Sequence, residues 1–463
     1  MPERDMGQYA RELEAGIECI WDVAESFGLK PFPTHFEIVP ATVMYEIGSY
    51  GMPGRFSHWT HGKAYQVQKM MYDYGLSKIY ELVINTNPCY AFLLETNTVL
   101  QNKLVAAHVL AHSDFFANNA YFGETSRRMV DTMALNAERI RSYEYEHGTD
   151  DVEKLLDAVL SIQEHVDPHA RTEDAHTDRR KPAVRPERAY DDLWDLGDQA
   201  NSGAQPDPRP ASDLRPSRPL RDILLFIMEH SPRLSDWERD VVAIVRAEML
   251  YFYPQMQTKI VNEGWASYWH ARIMRELDLT QDEYVEFAQL HSAILQPSQR
   301  SLNPYHLGFR MLEDIERRCN EEGKDGRARL MEIRETESDV SLIRNYLTED
   351  LVRDMDLFLY QRIGDELVIV DKSWEDVRQR LVTQLASHGI PLIYVEDGDY
   401  AGNRELYLRH SWDGQPLDLE YARKTLEYVF RLWGRQIWLE TRKSDDDKLV
   451  ISFDEKRGHQ IHA

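Results

Sequence analysis

Over most of residues 8–164 apolar side chains recur every three to four positions, as in "LDAVLSIQEHV", the period of a helix with one packed face. "FPTHFEIVPATVMYEIGSYGMPGRFSHW" interrupts that period, and its prolines, glycines and aromatics predict an ordered irregular segment or a short hairpin. Helical periodicity returns from about 220 to 350. Beyond it the pattern alternates. "DELVIVD" reads as a strand and "SWEDVRQRLVTQLASHG" as a helix, with Ser373 and Asp376 at capping-box spacing and a glycine past its end. "IPLIYVEDGD" and "RELYLRHSWDG" read as strands around a turn. "LDLEYARKTLEYVFRLWG" is a second helix, and "QIWLETRKSDDDKLVISFDE" supplies one or two further strands. The fold class expected is mainly α, with residues 1–350 as a large helical domain and 351–463 as a smaller C-terminal α/β module. The β-α-β-β-α-β order gives that module a ferredoxin-like form.

Residues 166–219 differ in kind. They hold eight of the chain's twenty prolines among many Asp, Arg and Ser, too little apolar area to offset ordering, and predict a flexible insertion. An extended strap over the surface is the alternative. The chain has 463 residues, 42% of them hydrophobic, and carries a formal charge of −25. That balance argues against nucleic acid as the main partner and against an anionic membrane surface. Cys19, Cys89 and Cys319 lie far apart and form neither a CxxC pair nor a framework of bridges, which fits a reducing compartment. No apolar leader and no membrane-length apolar run is visible, so a cytoplasmic location without membrane insertion is expected.

Two stretches carry chemistry. In "TVLQNKLVAAHVLAHSDFFANNAYF", His108 and His112 stand four apart, hence on one helical face and close enough to share a metal. A pair of satisfied core histidines has the same pattern. The pair is incomplete as a metallopeptidase motif, because H-E-x-x-H needs a glutamate where Val109 stands. In "VNEGWASYWH", Glu263 sits among residues that favour burial. A buried carboxylate needs a cationic partner, either a basic side chain or a metal ion. His270 is two helical turns further, about 10 Å along the axis, too far to share an ion with Glu263 and better placed to hold a substrate group or a supporting carboxylate. Asp114 points about 200° away from His112 around the helix. Glu248, Tyr251 and Glu138 are further polar candidates, with Glu248 and His270 kept as candidate catalytic groups. Asn303-Pro304-Tyr305 reads as a turn entering a helix that carries His306. Neither phosphate-cradling glycine motif nor a G-x-S-x-G elbow occurs.

"NEGWASYWH" resembles the second zinc motif of gluzincin metallopeptidases, in which N-E-G-[FW]-A-x-[YF] supplies a glutamate as third ligand. That resemblance implies a zincin-like site with His108, His112 and Glu263 as ligands of a divalent metal, zinc first. The spacing departs from those enzymes, since Glu263 follows His112 by about 150 residues. The whole chain resembles the stage V sporulation protein R (SpoVR) family, through "NPCYAFLLETNTVLQNKLVAAHVLAHSDFFANN", "YFYPQMQTKIVNEGWASYWH" and "NPYHLGFRMLEDIERR" in that order. The family takes its name from spore cortex formation and also occurs in organisms that never sporulate. Its genes commonly neighbour those of a PrkA-type serine protein kinase and a von Willebrand A-like protein. Two readings follow. One is a metal-dependent hydrolase lacking the usual glutamate, acting in sporulation or stress physiology. The other is a non-catalytic regulatory or scaffold protein working with the kinase.

Overall fold

The computed structural model describes residues 5–74, 81–170, 214–297, 302–357, 359–363, 366–371 and 373–462. The greater part of the proline-rich insertion expected at 166–219 lies outside them. Two compact units emerge, residues 1–152 with 251–390, and residues 153–250 with 391–463. The first begins with α1 (Met6–Ser26), β1 (Thr34–Val39), α2 (Ala41–Tyr50), α3 (Trp59–Asp73), β2 (Glu81–Ile84), β3 (Cys89–Leu94), α4 (Val99–Asn118) and α5 (Met129–His147). After α6 (Thr149–Leu160), α7 (Ile223–His230) and α8 (Asp236–Gln257), it continues through α9 (Lys259–Glu276), α10 (Gln281–Ile294), α11 (Pro304–Glu321), α12 (Gly326–Thr336), α13 (Asp339–Tyr346), α14 (Glu349–Asp354), β4 (Leu359–Ile363), β5 (Glu366–Asp371) and α15 (Trp374–Ala386). The second unit ends with β6 (Ile393–Tyr400), β7 (Glu405–His410), α16 (Leu419–Trp433), β8 (Ile437–Arg442), β9 (Lys448–Asp454) and β10 (Gly458–His462).

The helical reading of residues 8–164 misses β2 and β3, while β1 falls in the stretch expected to be irregular or a hairpin and pairs in parallel with β3, in a three-stranded sheet of order β1-β3-β2 whose β2 and β3 are antiparallel. The reason is visible in β3. Its Ala91 and Leu93 pack with Tyr9 and Leu13 of α1 and Val105 and Val109 of α4. Phe92 and Leu94 pack on the other side with Met44, Met129 and Met133. A strand buried on both faces has no polar alternation to betray it.

Helix α4 is central to the first unit. Thr98 and Gln101 close a capping box at its start, and every residue from Leu104 to Phe116 is buried. Helix α9 is buried almost as completely, with Trp265, Trp269 and Tyr268 in the same core as Leu104, Ala111 and Phe115. Two devices hold α9 in place. Asp114 of α4 accepts from Trp265 Nε1 at 3.0 Å and from Arg334 of α12 at 2.8 Å, so the direction that took Asp114 away from His112 is used to tie three helices. At the other face α9 and α11 cross backbone to backbone. A Cβ on Gly264 would stand 2.5 Å from Gly308 Cα, and one on Gly308 would stand 2.1 Å from Ile260 O.

The predicted βαββαβ order is not gathered into one sheet. β5 pairs antiparallel with β4 in a separate ribbon, and α15 buries Val377 and Val382 in the first unit's core. The second unit carries a five-stranded sheet, order β10-β9-β8-β7-β6, with α16 linking the parallel pair β7 and β8. Phe226 of α7 stacks on Trp433 at 5.6 Å, and Leu220 bridges to Val395. Among the described residues no helix is long and apolar enough to cross a membrane.

Candidate metal centre

The fold brings together His108, His112 and Glu263, which the sequence placed on two distant segments. One ligand atom from each lies within 4.8 Å of the others, and this is the one such group among the described residues. Glu263 Oε2 stands 3.6 Å from His108 Nε2 and 3.4 Å from His112 Nε2. Both contacts are long for hydrogen bonds, and Oε2 closes none. From Ile260 to Ala271, Glu263 alone is not fully buried, its side chain being 19% exposed against 5% and 6% for the two histidines. The carboxylate therefore marks the side from which the cluster meets solvent. Burial pushes its pKa up, but interaction with His108 and His112 outweighs this and holds it well below the usual carboxylate range.

Each imidazole is held from behind. His112 Nδ1 is 2.9 Å from Asn262 Oδ1, an acceptor one residue before Glu263. His108 Nδ1 is 2.8 Å from His270 Nδ1. An imidazole whose Nδ1–H donates to such a partner offers an Nε2 lone pair at its other edge, which is how metal-ligating histidines are fixed. Phe116 stacks on the His112 ring at 6.1 Å, and Tyr305 of α11 lies along His108 at 6.0 Å. The start of α9 is fastened by Asp339, which accepts from Ile260 N and Val261 N at 2.9 Å. Burial raises its carboxyl to about 7 against the pull of those two amides.

The other sequence candidates fall elsewhere. His270 supports His108 instead of joining the three donors, and burial and the neighbouring histidines push its pKa well below 6.5. Glu248 is fully buried on α8 in the second unit and is not one of the grouped ligands. Tyr251 donates to Asn85 O at 3.1 Å in the core, and Glu138 is exposed. Asn303 caps α11 through Tyr305 N and also donates to Ile294 O at 3.0 Å, so N-P-Y shapes the entry to that helix. Three contributors escaped the sequence reading. Asn262 had a signal in its place beside Glu263. His291 and Gly308 had none.

Position 109 is decided by the fold. Val109 is fully buried, turned away from the three donors into the cluster with Ala91, Leu93, Tyr9 and Leu13.

Comparison with known proteins agrees with the three sequence motifs. The model of a family described as SpoVR like protein matches residues 8–390, and that described as SpoVR-like C-terminal domain matches 391–444. The chain belongs to the SpoVR family. A relative from Escherichia coli (strain K12), described as uncharacterized protein YcgB, is 29% identical over 476 residues, spanning 94% of this chain and 92% of its own length. No solved structure matches.

Proposed function

We propose that this SpoVR-family protein holds one divalent metal, zinc first, at His108, His112 and Glu263, in a donor set of gluzincin type. The spacing of the donors carries this reading. Two ligand atoms about 2.0–2.1 Å from one tetrahedral ion stand about 3.4 Å apart. The 3.4 and 3.6 Å separations of Oε2 from the two Nε2 atoms match that edge and exceed a hydrogen bond. The Asn262 contact supports the same reading, because it leaves His112 Nε2 facing the shared space. A divalent ion held by these three residues would supply a water of lowered pKa, and so a hydroxide nucleophile, for attack on an electrophile. Glu263, the one partly exposed residue of the three, would hold the ion at the solvent side of the site. The reaction class that follows is metal-assisted hydrolysis.

A non-catalytic regulatory role beside a serine protein kinase is the second reading. It is favoured by Val109, since the carboxylate that deprotonates water in H-E-x-x-H enzymes is missing and its place faces the core. Metal content by mass spectrometry tests the first reading. The wild type should carry close to one equivalent. His108→Ala and His112→Ala should carry none, Glu263→Gln should carry far less, and His306→Ala should match the wild type. A metal-free wild type after growth with added zinc, manganese and iron would overturn it.

A further inference from the structure

Behind His108 the hydrogen bonds continue. His270 Nδ1 meets His108 Nδ1 at 2.8 Å, and His270 Nε2 meets His291 Nδ1 at 2.9 Å. The three imidazoles thus form a head-to-tail chain from the candidate centre, through the fully buried His270, to the half-buried His291 at the last turn of α10. His291 is wedged between Phe287, stacked at 5.8 Å, and Phe309, edge-on at 5.4 Å, so its ring orientation is set by packing. Each N···N contact needs one N–H and one lone pair, and full burial of His270 disfavours a second proton on that ring.

A neutral imidazole carries one N–H, so each ring in such a chain donates at one edge and accepts at the other. Two arrangements are then open. In the outward one His108 Nδ1–H donates to His270 and His270 Nε2–H donates to His291. In the inward one every bond is reversed, and His108 presents Nε2–H to its front.

Resting on the metal reading above, the geometry points to His270 and His291 as positioning residues of that site, whose chain runs outward when a metal is held and inward when it is not. The balance of groups at His108 Nε2 sets the direction. Glu263 Oε2 stands 3.6 Å from His108 Nε2, and a carboxylate oxygen only accepts, so without a metal an Nε2–H is favoured. A metal accepts a lone pair, so Nε2 must give up its proton, and Nδ1–H must then face His270. Each ring keeps one proton throughout. The proton leaving His108 Nε2 is matched by one gained at His291 Nε2, and occupancy of the centre is written into the tautomer of a residue on another helix.

The experiment is nitrogen NMR on the full chain with 15N-labelled histidine, before and after adding Zn(II), with single His variants to assign the rings. Nitrogen shifts distinguish a protonated from an unprotonated ring nitrogen. In the zinc-free protein His291 should carry its proton on Nδ1, and after zinc on Nε2, with His270 reversing in step. His291→Phe should weaken zinc binding about 10- to 100-fold, the usual effect of losing a group that orients a ligand. His291→Gln, whose amide oxygen can accept from His270, should retain most of the affinity. Zinc bound with His270 and His291 tautomers unchanged, or His291→Phe binding zinc as the wild type does, overturns the inference and leaves the metal site standing. A wild type that takes up no zinc removes both.

Discussion

At position 109 the difference between a metal centre and an H-E-x-x-H peptidase comes down to which way one side chain faces. Val109 follows His108 by one residue, about 100° around the helix, and that rotation carries it into the apolar layer between α4, α1 and β3. Restoring the missing glutamate there should not restore a base. Val109→Glu buries a carboxylate among Ala91, Leu93, Tyr9 and Leu13, and should cost several kcal/mol. Thermal unfolding should show a large loss of Tm or an insoluble product. A soluble variant with wild-type Tm that cleaves a casein substrate would show that the side chain reaches the metal side after all.

The crossing of α9 and α11 sets the scale above. Glycine at 264 and 308 brings the two backbones together where no Cβ fits, and this contact locates Glu263 against the α4 histidines. Gly308→Ala should therefore act twice. It should destabilise the chain by at least about 2 kcal/mol through overpacking. It should also weaken metal binding, because forcing the helices apart moves Glu263 relative to His108 and His112. Gly62→Ala is the control, since a Cβ at that helical position meets nothing within 4 Å. There the change should be neutral or stabilising by about 0.5–1 kcal/mol. Denaturant midpoints and zinc titrations of both variants measure it. Equal midpoints for Gly308→Ala and wild type would show that the crossing accommodates a Cβ.

For the whole molecule, the make-up of the second unit from two distant stretches of chain bears on how the C-terminal part folds. Its sheet is covered by residues far earlier in the chain. Phe226 lies on Trp433, Leu220 bridges to Val395, Ser231 Oγ donates to Leu432 O at 2.7 Å, and a Cβ on Gly398 would meet Phe226 at 2.7 Å. A fragment of residues 351–463 would leave Trp433 and Gly398 bare. Its unfolding, followed by circular dichroism, should be less cooperative and lie at lower temperature than that of the same sheet in the full chain. Equal transitions would establish the boundary at 351 as a folding boundary.

The sequence by itself determined the helical character of the first unit, both helices and most strands of the last 110 or so residues though not β4 or β10, the turn at Asn303 that enters α11, and the family. It also supplied the three candidate ligands, two from an i, i+4 histidine pair and the third from the resemblance of Glu263 and its neighbours to the gluzincin motif, helped by the need of a buried carboxylate for a cation. Tertiary structure decided the rest. Whether His108 and Glu263 meet depends on a helix crossing made possible by Gly308, on Asp114 gripping Trp265, and on Asp339 anchoring the start of α9. None of these has a periodic signature. The strand β3 was hidden because both its faces are buried. His291 was invisible for a similar reason, since a lone histidine on a helix gains its role only from what the fold packs against it.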